Sequence, residues 1–178
     1  MTYHVQSLWS SVVNHESTMT HAIIEKDGRP AVSHTFRVRY AETDAMAVAH
    51  HSSYILWMEM GRTEFMRAHG FTYRELEASG VLMPILEIGV KYRNSAIYDD
   101  ELRITTWVGE LTRVRVKLHY LIERVADDVV LAEAFTLQTF IGPGGRPIRI
   151  THHPEAWNRL LRMAPDSEAA QKPGGVHG

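Results

Sequence analysis

Asp44 stands seven residues before His51 in the run Tyr40-Ala-Glu-Thr-Asp44-Ala-Met-Ala-Val-Ala-His50-His51-Ser-Ser-Tyr54, and a long helical pattern opens where this run ends. The first-turn amides of a helix have no intrahelical acceptor and lie at the positive end of its dipole. They can stabilise a developing oxyanion while a facing carboxylate attacks an acyl carbonyl or deprotonates a water beside it. The simpler reading is that Asp44 caps a turn and that His50 and His51 are surface residues near a helix end. The local pattern alone leaves both open.

Other chemistries are narrowed by composition. The 178 residues include no cysteine, which removes disulfides, thiolate metal sites and a cysteine nucleophile together. With 19 Lys+Arg against 21 Asp+Glu the formal net charge is −2, so no broad basic field exists to hold a nucleic acid or an anionic membrane surface. The pairs His50-His51 and His152-His153 diverge on extended segments and no HExxH spacing occurs, so no metal site is expected. Arg93, Arg113, Arg115 and Lys117 have the charge to meet phosphate groups, with a solvated strand face as the alternative role.

The elements that must position Asp44 are legible as periods. Thr35 to Tyr40 alternates apolar with charged residues, as a strand with one buried face does. From about Ser52 to His69 the residues Tyr54, Trp57, Met58, Gly61, Phe65 and Ala68 recur at spacings of three and four, which predicts a helix. Ile55, Leu56, Met60 and Met66 widen its apolar arc, so it is expected to be wrapped on most sides. Ser52 or Ser53 is the expected cap and Gly70 the stop. A short helix is expected over Thr72 to Ala78 with Gly80 as its end, and another over Pro154 to Arg162. Between them, runs at Leu86–Tyr92, Leu102–Thr106, Val114–Tyr120 and Phe135–Ile141 alternate as strands separated by turn signals, which predicts an antiparallel meander. In the last run Phe135, Leu137, Thr139 and Ile141 are the expected apolar face. The expected class is α+β, one long helix covered by an antiparallel sheet. Such a sheet has exposed edges, and pairing two copies would cover one, which favours a homodimer or homotetramer.

Residues 1–30 show neither period and read as an N-terminal extension, 31–163 as the working domain, and 164–178 as a disordered tail rich in Pro, Gly and small polar residues. The N-terminal residues lack the pattern of a secretory signal, and no uncharged apolar run of about 18 residues occurs, so no membrane span and a cytoplasmic location are expected.

The run from Tyr40 to Tyr54, followed by Glu59-Met-Gly-Arg62-Thr63-Glu64 and by Tyr98-Asp99-Asp100-Glu101-Leu102, resembles the acyl-CoA thioesterases of the hot-dog fold, in the branch of 4-hydroxybenzoyl-CoA thioesterase and the YbgC-type enzymes. The similarity runs from about Thr35 to Ile150. It implies a helix wrapped by an antiparallel sheet, in dimers that often pair into tetramers, and hydrolysis of acyl-CoA or acyl carrier protein thioesters. No cofactor is implied, coenzyme A being part of the substrate. The resemblance assigns the nucleophile or general base to Asp44, carbonyl polarisation to the amide of His51, and a lining role to Tyr40 and His51. Glu59 is expected to orient a water or a loop, Tyr54 to line the acyl pocket, and Arg62 and Glu64 to pair with each other or with a neighbouring subunit. Many relatives carry glycine three residues after the aspartate, where this chain has Ala47. Ala49 occupies the place of the histidine of related hydratases, which argues against hydration. A non-catalytic acyl-CoA sensor is the alternative function. It is disfavoured by Asp44 and by the lack of an attached basic or helix-turn-helix module.

Overall fold

The computed structural model describes residues 21–164, so most of the expected N-terminal extension and the expected tail from residue 165 onward lie outside the described residues. Residues 21–30 belong to the sheet. His21–Lys26 forms strand β1 and Arg29–Arg37 forms β2. Asp27 and Gly28, at φ 53° and 76°, close the two-residue turn between them, since a tight hairpin needs positive φ at both central residues. The turn signal at 26–30 thus joins two strands rather than marking the edge of the domain, and residue 31 falls inside β2.

The helices lie within one residue of their expected bounds: α1 is His51–Ala68, α2 is Tyr73–Ala78 and α3 is Pro154–Met163. Strands β3 (Ile85–Tyr92), β4 (Glu101–Leu111), β5 (Arg115–Arg124) and β6 (Val129–Thr139) complete one antiparallel sheet in the order β1-β2-β4-β5-β6-β3. β4, β5 and β6 form a meander as expected, but β3 is not its first strand; it occupies the far edge and pairs with β6. The turn at Tyr98 to Asp100 exists, with Asp99 at φ 68°. It bonds back to the exit of β2, Asp99 N to Val38 O and Val38 N to Asp100 O, both at 3.0 Å. A turn signal reports a local reversal and not the strand with which the next segment pairs.

Helix α1 packs on β2 and β4 through the buried residues Tyr54, Trp57, Met58, Gly61 and Phe65. Helix and sheet come close at Gly61, where a Cβ would lie 2.8 Å from Thr106 Oγ1 and 2.9 Å from Ile104 Cδ1. Ile55 and Leu56 are 39% and 57% exposed, so the sheet covers fewer sides of the helix than its wide apolar arc implies.

Strand β6 faces the opposite way from its hydropathy. Ala134, Thr136 and Gln138 are buried, while Phe135 and Leu137 lie on the outer face. Inside, Tyr120 Oη and Gln138 Nε2 meet Thr136 Oγ1 at 2.9 and 2.7 Å. Outside, Lys117 Nζ sits 4.1 Å from the Phe135 ring centroid. Polar side chains that bond one another can occupy an interior position, and a slip of one residue exchanges the faces of a strand.

Candidate active site

Between β2 and α1 the chain makes a 3-10 turn at Tyr40–Glu42 and then a small hairpin closed by the pair Thr43 and Ala49, whose returning arm bridges through Val48 to Ile97 beyond β3. Within it Ala47 N donates to Asp44 O and Asp44 N to Val48 O, both at 2.9 Å. Ala47 sits at φ +59°. The left-handed region costs a residue with a Cβ about 1–2 kcal/mol, which explains why glycine suits this position and shows that alanine keeps the loop shape at an energetic cost.

Asp44 Oδ1 accepts the Met46 amide at 2.8 Å, and Oδ2 has no partner among the described residues. The cap of α1 is His50, not Ser52 or Ser53. Its Nδ1 accepts the Ser52 amide at 3.3 Å. Ser53 is unavailable as a cap because its hydroxyl donates to Glu42 O at 2.9 Å. The Ser53 amide is taken by His50 O at 2.9 Å, and the His51 amide has no acceptor among the described residues. Asp44 and His51 share a cavity of ≈ 280 Å³, walled also by Val48, Tyr54, Tyr92, Arg93, Asn94 and Ser95.

The walls are held by specific contacts. Tyr54 and Tyr92 meet edge to face, centroids 5.0 Å apart, and Tyr92 Oη donates to His51 O at 3.0 Å. Burial, chiefly, pushes the Tyr54 phenol up in pKa, so it stays neutral and serves as a wall. Arg93, another lining residue, pairs with Glu133 at 2.8 Å. Ala49 N donates to Ala96 O at 2.8 Å, which ties the segment after β3 to the Asp44 loop.

Of the expected site residues, Asp44, His51, Tyr54 and Arg93 come together. Tyr40 does not line the cavity; it is 77% exposed, with its ring edge-on to Tyr98 at 5.8 Å. Glu59 is also outside it, on the uncovered arc of α1, 3.9 Å from Arg62. Glu64 pairs with Arg67 rather than Arg62. Arg113, Arg115 and Lys117 are not among the lining residues. A larger cleft of ≈ 530 Å³ between β2 and α1 is lined by His34, Phe36, Arg39, Glu42 and Trp57 among others, and contains neither Asp44 nor His51.

Sequence reasoning missed Tyr92, Asn94 and Ser95, because only the edge position of β3 brings them beside α1. It also missed Glu42, for which the opposite charges at Arg39 and Glu42, three residues apart, were an available signal. Glu42 is buried, and its carboxylate accepts from Arg39 N at 2.8 Å, Arg39 Nη2 at 2.7 Å and Trp57 Nε1 at 3.1 Å. Burial works to raise its pKa. The hydrogen bonds from Arg39 and Trp57, with the guanidinium charge, outweigh that and hold the carboxyl below the usual carboxylate range.

With this fold and loop in hand, sequence comparison places the chain in the thioesterase-like superfamily, whose family model matches residues 38–169. The chain belongs to that superfamily and is a hot-dog thioesterase. It is 35% identical over 109 residues to the acyl-CoA thioester hydrolase YbgC of Escherichia coli, a match covering 60% of this chain and 79% of that protein. Among solved structures it is similar to the hypothetical protein TT1821 of Thermus thermophilus, with a TM-score of 0.68 and 34% identity over 74% of this chain and 98% of the other. It is likewise similar to the DHNA-CoA thioesterase of Staphylococcus aureus, with a TM-score of 0.68 and 26% identity over 76% of this chain and 94% of the other. No helix among the described residues is long and apolar enough to cross a membrane.

Proposed function

We propose that this acyl-CoA thioesterase works with Asp44 as nucleophile or general base and with the His51 amide as the group that polarises the thioester carbonyl. The observation that carries the reading is that a carboxylate oxygen and a helix-terminal amide, neither with a partner among the described residues, belong to residues lining one cavity. The acyl carbonyl lies with its oxygen toward the amide. Asp44 either adds to the carbonyl carbon, giving an anhydride that water then cleaves, or takes a proton from a water that adds instead. In both routes the C–S bond breaks as the tetrahedral intermediate collapses, and the thiolate leaves and is protonated. The amide acts where negative charge develops. Tyr54 and Tyr92 form an apolar wall for the acyl group, and the lining residue Arg93 offers a cation to the anionic coenzyme. Coenzyme A enters only as part of the substrate. The test is thiol release from a panel of aromatic and aliphatic acyl-CoAs by the native enzyme and by Asp44→Asn; retention of most hydrolysis by the variant would overturn the assignment.

We further infer a cytoplasmic homodimer or homotetramer built through β3. This edge strand exposes Leu86 at 53%, Ile88 at 39% and Tyr92 at 47%, and an apolar strand edge invites pairing with a second copy. Tyr92 and Arg93 both wall the cavity, so a copy paired there would also border the site. Sedimentation of Ile88→Lys is expected to show a smaller species than the native protein.

A further inference from the structure

We propose that Glu42 is a positioning residue for the reaction, the brace that fixes the Asp44 carboxylate relative to the N-terminal amide of α1. The inference rests on the reading of Asp44 given above. Glu42 lies two residues before Asp44 and reaches three positions on one face of the helix start. Its carbonyl accepts the His50 amide at 2.8 Å and the Ser53 hydroxyl at 2.9 Å, and its carboxylate accepts the Trp57 indole at 3.1 Å. Positions 50, 53 and 57 follow the spacing of a single helical face. On the other side the same carboxylate closes the turn entering the loop, through Arg39 N at 2.8 Å. The one residue between brace and carboxylate has little slack: Thr43 pairs with Ala49, and its hydroxyl donates to Tyr40 O at 2.8 Å.

The stability that the charged carboxylate gains from Arg39 and Trp57 does not by itself explain the choice of glutamate over an apolar residue. Taking a charge out of water costs several kcal/mol, and an apolar side chain of similar size often serves a buried position as well or better. The guanidinium partner is 74% exposed against 7% for the carboxylate, and ion pairs with a solvated member contribute little. What the carboxylate supplies, and an apolar side chain would not, is direction: its hydrogen bonds hold the loop and the helix in one mutual geometry. Glu42 lies in the wall of the neighbouring cleft and not of the catalytic cavity, so it acts through Asp44 and not on substrate.

The experiment is a two-by-two set of native enzyme, Glu42→Gln, Asp44→Asn and the double variant. Each is assayed by thiol release on the best substrate of a panel running from acetyl-CoA to palmitoyl-CoA with benzoyl-CoA and 4-hydroxybenzoyl-CoA, and melted in parallel. Because displacement of a catalytic group by about 1 Å can cost 10²-fold, Glu42→Gln is expected to lower kcat by about 10- to 100-fold with KM within about twofold. The double variant is expected to be no slower than Asp44→Asn, since both changes act through one carboxylate. The acid limb of the pH profile stays where it is in the native enzyme. A rate loss no larger than the unfolded fraction, a rise in KM in place of a fall in kcat, additive losses, or a moved acid limb would each overturn the proposal, the last by making Glu42 itself the base. Full activity in Asp44→Asn would instead sink the underlying assignment. Where Asp44→Asn leaves no measurable rate, the kcat-against-KM split decides. Should Glu42→Gln not fold, Trp57→Phe keeps an aromatic ring beside Tyr54 and Phe36 while removing one donor to Glu42. It is expected to give the same kcat-selective loss on a smaller scale, and an unchanged kcat there overturns the proposal.

Discussion

At the C-terminal end of α1 the carbonyls of Phe65, Met66 and Arg67 are bonded, whereas at its N-terminal end the His51 amide has no acceptor among the described residues. Gly70, at φ +67°, lets the chain fold back so that its amide reaches Arg67 O at 2.9 Å and that of Phe71 reaches Met66 O at 3.0 Å. His69 Nδ1 lies 2.8 Å from Phe65 O, and Arg159 of α3 holds Gly70 O at 2.9 Å. This end is finished in the way helix ends usually are, with a left-handed glycine turning the chain back onto the carbonyls of the last turn. The other end is also tightly held, by Glu42, His50 and Ser53, yet among the described residues those bonds secure the backbone around the His51 amide without using it up. The difference teaches that a helix terminus becomes useful for chemistry when its surroundings are bonded firmly and one donor is not.

Substitutions at the two ends should therefore separate rate from stability. Asp44→Asn is expected to cost on the order of 10²- to 10⁴-fold in thiol release and to leave the melting temperature near that of the native protein. Gly61→Ala, in the middle of the helix, is expected to cost about 1–3 kcal/mol by chemical denaturation, because a methyl group must displace Thr106 and Ile104. Gly70→Ala meets nothing within 4 Å, so only backbone strain of about 1–2 kcal/mol opposes it; the expected outcome is lower stability with kcat and KM unchanged at a temperature where the variant is folded. A loss of rate there would show that the two ends are not independent. Ala47→Gly is the mirror experiment at the functional end, and removal of the strain at φ +59°, less the added freedom of the unfolded chain, should stabilise by up to about 1 kcal/mol.

The finest distinction is a slope against pH. Because Glu42 has a folded-state pKa below its unfolded one, its contribution to stability is present above the unfolded value and is lost as pH falls through the folded value. Unfolding measured from neutral pH into the acid range should show Glu42→Gln losing less stability on acidification than the native protein. Equal slopes would mean that the Arg39 and Trp57 bonds do not hold the carboxylate charged.

The extents of the helices were legible because they depend on spacing within one segment: Tyr54, Trp57, Met58, Gly61 and Phe65 mark the buried side of α1 in the chain itself. Gly70 was legible for the same reason, and so was the loop carrying Asp44, whose identity came from a motif. The cap was misread because serine is the commoner choice, while the hydroxyl of Ser53 is taken by a carbonyl eleven residues earlier. The buried face of β6 was misread because hydropathy weighs Phe135 above Thr136, and the bonds that satisfy Thr136 come from Tyr120 on the neighbouring strand and from Gln138.

By itself, then, the sequence determined the helices and the meander strands, the class of fold and the carboxylate proposed for the reaction, but not strand β1. All three are expressed in local periodicity or in a short motif, where the physics acts between residues close in the chain. The tertiary structure decided that β3 lies at the far edge, that its end brings Tyr92 and Arg93 to the cavity while Tyr40 and Glu59 stay outside, and that Glu42 joins the loop to the helix. Those outcomes depend on hydrogen bonds between segments distant in sequence, and on which of several polar groups reaches a given partner first; no spacing within a single segment records that competition.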